Sequence, residues 1–156
     1  MVVLAIIILG GGFFYYSRIY LPQKEASILN PEAKQISHLN AQLAELLNND
    51  FSAMNNDQFH SNMNQLLALY QQRQAAIQTF QADYSKNNKY ITSFSNFLSP
   101  AALNCYQAQF NAWVPIIQAQ SNFNIDSLTR QQKENYYQNT FEEPAAKAEY
   151  QPCMSL

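Results

Sequence analysis

At 156 residues the chain has room for one domain of ordinary size with a genuine core, together with a terminal segment. Charged residues make up 13% of it, about half the roughly 25% of an average soluble protein, while Asn and Gln supply roughly a fifth, so its polar faces are amide-rich rather than ionic. A net charge of −2 with no basic block lacks the electrostatic footprint of a phosphate-binding surface, which sets nucleic acid aside as a partner.

The chain opens on an apolar run. Met1 to Tyr16 carries no charged side chain, Phe13 to Tyr16 is an aromatic cluster, and Arg18 follows, an order that fits a membrane span ending in an interfacial belt. Sixteen residues reach only about 24 Å against a hydrocarbon core of about 30 Å. The span therefore closes only by running on towards Leu21, with Arg18 extending its charge to the surface. We expect residues 1–22 to be an uncleaved signal-anchor. A cleaved export signal is the alternative, since Gly10 and Gly12 are small residues two apart, although a positive n-region is missing. Gly10, Gly11 and Gly12 would let a second helix approach closely, for self-association or docking within the membrane.

Arg18, Lys24 and Lys34 follow the run, which by the positive-inside rule puts the bulk of the chain in the cytoplasm. Low charge, high amide content and a pair of cysteines fit an exported domain instead. The expectation is a single-pass protein of the bacterial inner membrane with its bulk in the periplasm.

Residues 23–30 read as a linker and 31–143 as an antiparallel bundle of about four helices, so the fold class is all-α. Asn30 offers an N-cap and Pro31 a first helical position, after which Ile36, Leu39, Leu43 and Leu46 step by three and four. Phe59, Met63, Leu66, Tyr70, Ile77, Phe80 and Tyr84 continue the pattern in a second, longer helix, with Arg73 at its one polar step. Ile91, Phe94 and Leu98 suggest a short helix. Ser99 and Pro100 start the next, with Leu103, Tyr106, Phe110, Trp113 and Ile117 on one face and Pro115 as a kink. A mostly polar helix is expected from Asp126 through Phe141, ended by Pro144 and followed by a tail over 144–156. All three glycines lie in the opening run, which leaves the rest without the residue that phosphate loops, nucleophile elbows and tight hairpins need. Asn48-Asn49, Asn87-Asn88 and Asn122 stand where helices should stop, so asparagine is expected as the left-handed cap.

Chemistry-bearing residues are sparse. Asp57 and His60 stand three apart, but no further ligand completes a metal motif, and Glu142-Glu143 beside Pro144 suits a solvated helix end better than an acid–base pair. Neither an enzyme nor a cofactor is expected. Tyr136, Tyr137 and Phe141 either cover the bundle or anchor a partner. Cys105 follows Leu103 by two, off the apolar stripe, and Cys153 lies in the tail; an exported pair with no rivals is expected to form a disulfide. The functional expectation is a non-catalytic binding, scaffolding or accessory component of an envelope complex. A bundle that senses or carries a small apolar molecule is the alternative.

Overall fold

A computed structural model describes residues 15–87, 89, 98–120 and 122–153, and every regular element among them is helical. A π-helical segment, Tyr16–Tyr20, runs directly into α1, Leu21–Leu47. A 3₁₀ turn, Phe51–Ala53, leads to α2, Asn56–Asn87; α3 is Pro100–Ala119. The C-terminal rod is α4, Arg130–Tyr137, a second π segment, Gln138–Glu142, and α5, Glu143–Cys153. Among the described residues no helix is long and apolar enough to cross a membrane; the apolar run before Tyr15, Gly10 to Gly12 included, lies outside them.

The rods pack antiparallel because the stripes pair end to end. Leu29, Ala33, Ile36 and Leu39 of α1 meet Ala76, Ile77 and Phe80 in the second half of α2, joined by Leu98 just before α3. At the other end Leu43, Phe59, Met63, Leu66 and Tyr70 meet Ala112, Trp113, Val114 and Ile117 of α3, with Ile125, Phe141 and Ala145 from the C-terminal third. Burial of each such Leu, Ile or Phe contributes about 1.5–3 kcal/mol.

Several boundaries differ from the sequence reading. Residues 23–30 are helix, not linker: Leu29 is fully buried and extends the Ile36 stripe one heptad towards the N-terminus. Asn30 and Pro31 are therefore interior. The Pro31 ring leaves the Ser27 carbonyl without its helical N–H, but both residues are exposed, so water can satisfy it. Nor are residues 144–153 an irregular tail, since Glu143–Cys153 is helical. Both π segments stand immediately before a proline near the start of the next α segment, Pro22 and Pro144. The wider i→i−5 turn places each proline in a first turn, where a missing N–H is tolerated, and the chain continues instead of stopping.

Among the described residues asparagine does not replace glycine as a left-handed cap; Asn88 lies outside them. Asn48 closes α1 at φ −83°, ψ −1°, and no described residue has a positive φ. The caps are side chains at helix starts: Ser99 Oγ accepts from the Ala102 N–H, and Thr129 with Gln132 forms a reciprocal capping box. That box starts the last rod at Arg130, four residues later than Asp126. Of the proposed short helix, Ile91 and Phe94 lie outside the described residues, while Leu98 is buried just before α3.

Candidate functional site

The polar step in the α2 stripe is the centre of the bundle. Arg73 is 4% exposed. Its Nη1 donates to Asn40 Oδ1 of α1 at 3.0 Å and Gln109 Oε1 of α3 at 2.9 Å, and its Nη2 to the Tyr106 carbonyl at 3.4 Å. The guanidinium also stands 5.2 Å from the Tyr70 ring centroid and 4.9 Å from that of Tyr106. Planar, weakly hydrated and rich in donors, it suits this amide and aromatic lining better than a lysine would. One side chain thereby fixes the register of three helices between the two apolar clusters. The sequence marks Arg73 as polar but carries no signal that pairs it with Asn40 and Gln109, which sit on separate helices.

The three aromatics weighed as a partner surface differ in burial, and each makes contacts within the bundle. Phe141 is fully buried, 5.3 Å from the Tyr137 ring and 6.2 Å from that of Trp113. Tyr137 is half-buried against Phe51, with ring centroids 4.7 Å apart. Its burial first, and then the Glu142 carboxylate, push its phenol up to about 12. Tyr136 stacks on Phe123 at 4.2 Å, and its hydroxyl donates to Gln120 Oε1. Burial raises its phenol as well, against a hydrogen bond to Thr140. The second π segment turns Phe141 inwards as a plug for this end of the core, while Tyr136 and Tyr137 stay half-buried beside it.

Cys105 and Cys153 form a disulfide, with Cα atoms 4.6 Å apart. Contrary to its expected outward position, Cys105 is buried at 2% exposure, because α5 lies along α3 and covers that flank. Where α2 ends and α3 begins, Phe80, Tyr84, Leu98, Pro100 and Leu103 line an open, mainly apolar cleft of about 460 Å³. Nearby on α1, partial burial and then the adjacent Asp83 carboxylate raise the Glu32 carboxyl above its ordinary range. At the opposite end, hydrogen bonds from Ser52 hold the Asp50 carboxyl below its usual range, assisted by Arg130. Asp57 is exposed and His60 rests its ring against Phe59, and no cluster of metal-ligating side chains occurs among the described residues.

In comparisons with protein-family models, curated proteins and solved structures the chain matches none, so these sites are read from their own geometry.

Proposed function

We propose that this chain is a membrane-anchored, exported helical bundle that serves as a non-catalytic binding or scaffolding subunit of a bacterial envelope complex. The observation that carries the reading is that a helix runs from Tyr15 without a break into α1, in a stretch that follows the uncharged run Met1–Phe14 in the sequence. The bond between Cys105 and Cys153 supports export, since such bonds persist in oxidising compartments. The packed centre around Arg73 supports scaffolding, because a bundle with its register fixed presents rigid, amide-rich faces at little ordering cost. Purification from detergent-solubilised membranes, with mass spectrometry of proteins and small molecules together, tests it. A stoichiometric protein partner is the expected result; a monomeric preparation without one overturns the scaffolding role.

A second reading, a carrier of a small apolar molecule, is favoured by the cleft at Phe80, Leu98 and Leu103. Its volume falls within the range of small-ligand sites. Co-purification of one apolar compound, lost on Leu103→Gln, would select it.

A further inference from the structure

The large hydrophobic side chains left exposed among the described residues are Tyr15, Tyr16, Ile19, Tyr20 and Ile28. Four of the five fall within Tyr15–Tyr20, a segment that packs along its own continuation, α1. The rings of Tyr16 and Tyr20 stack on each other at 5.5 Å. Between Tyr15 and Lys24 the chain carries two exposed cations, Arg18 and Lys24, and no acid, although its overall net charge is −2. A water-facing cluster of tyrosines has little to gain from its surroundings. The same cluster at a bilayer surface places its ring bodies among the upper acyl carbons and its hydroxyls in the headgroups. Cations immediately beside it meet lipid phosphates there.

We propose that Tyr15–Lys24 is an interfacial collar that binds the headgroup layer of an anionic phospholipid bilayer. The Tyr20 ring lies at the glycerol level, those of Tyr15 and Tyr16 just beneath it among the upper acyl carbons, and Arg18, extending its side chain outwards, and Lys24 pair with phosphates. This rests on the membrane anchorage proposed above and adds its lipid class and depth. Because the helix continues unbroken from Tyr16 to Ile28, it also fixes a distance. From Tyr20 to Ile28, eight residues of helix amount to roughly 12 Å, more than the roughly 5–8 Å of headgroup layer on either side of the hydrocarbon. Ile28 therefore stands clear of the lipid, and the end of the bundle bearing Leu29, Phe80 and Leu98 faces the membrane.

The test uses the full chain, reconstituted in phosphatidylglycerol–phosphatidylethanolamine vesicles containing brominated lipid, with Tyr16→Trp, Tyr20→Trp and Ile28→Trp made separately. Buried Trp113 serves as the common reference. Trp emission from the first two variants should be quenched and shifted to the blue, and that from the third should match unbrominated controls. Protein that floats with the vesicles yet shows no quenching at 16 and 20, or equal quenching at 28, overturns the collar while leaving anchorage intact. Failure to float overturns anchorage and the collar together. Arg18→Gln with Lys24→Gln should abolish the preference for phosphatidylglycerol over phosphatidylcholine vesicles; an unchanged preference overturns the anionic assignment.

Discussion

Cutting the link between α3 and α5 by Cys153→Ser isolates what the disulfide contributes, because Cys105 then remains in the core as a small apolar residue. The two cysteines are 48 positions apart. In the chain-entropy model a loop of that length lowers the entropy of the unfolded chain by about 14 cal/mol/K, or about 4 kcal/mol at 25 °C. This is an upper figure, since the unfolded chain retains some order. In the folded state the bond is also what secures the end of the last rod: Phe141 and Ala145 anchor its beginning in the core, and Cys153 is the half-buried residue at its end. We expect Cys153→Ser to lose about 2–4 kcal/mol, read as a fall of about 6–12 °C in melting temperature for a chain of this size. Amide exchange should speed up in α5 before α3. Circular-dichroism melts with and without reductant measure the loss, and reductant should bring the unsubstituted protein down to the variant. A loss under about 1 kcal/mol, well short of the loop-closure figure, would refute the reasoning. So would two thiols that alkylate without reductant in the protein isolated from its native cells.

Ile77→Ala should cost about 2–5 kcal/mol as a buried large-to-small change, whereas exposed Gln71→Ala should be close to neutral in the same melts. Phe110, which the stripe places in the core, is only half-buried and should fall between them. Thr129→Ala removes the capping box of α4 and should lose about 1 kcal/mol. The Glu32 carboxyl is raised above its ordinary 4.5, so the folded chain binds that proton more tightly than the unfolded one. The stability this adds is full below 4.5 and is lost as pH rises through the folded value. Glu32→Gln should therefore raise the melting temperature at neutral pH and flatten this part of the pH dependence; a lower melting temperature at neutral pH would reverse the sign. Asp50 works the other way. Its contribution is present above its ordinary 3.8 and lost as pH falls through the lowered folded value, so Asp50→Asn should remove an acid-side transition.

The helices were legible where apolar residues recur at three and four, because that spacing both forms a face and demands a neighbour to bury it. Leu39, Leu43, Phe59, Leu66, Tyr70, Ile77 and Phe80 are all buried as their stripes require. Boundaries were less legible wherever they were drawn at a proline, as a start at Pro31, an end at Pro144 or the close of the opening segment at Pro22. Pro22, Pro31 and Pro144 all sit within a longer helical course, two of them behind a π turn and one on an exposed face, and neither device has a sequence signature. Cys105 was misplaced because α3 has more than one covered flank: its stripe faces α2, while α5, read as an irregular tail, covers another side. Phe141 stood among polar neighbours in a rod with little periodicity, so only the fold shows it entering the core. The contacts of Arg73 join residues more than thirty positions apart through amides that one-dimensional patterning does not distinguish from surface amides.

The central claim is that the bundle stands outside the cytoplasm on a membrane-held N-terminal helix. An alkaline phosphatase reporter fused after Leu156, active only in an oxidising compartment, measures this directly when activity is followed in the membrane fraction of intact cells. High activity that remains with the membranes after washing in alkaline carbonate is the expected result. An inactive fusion, together with activity from a cytoplasm-only reporter at the same position, would contradict it.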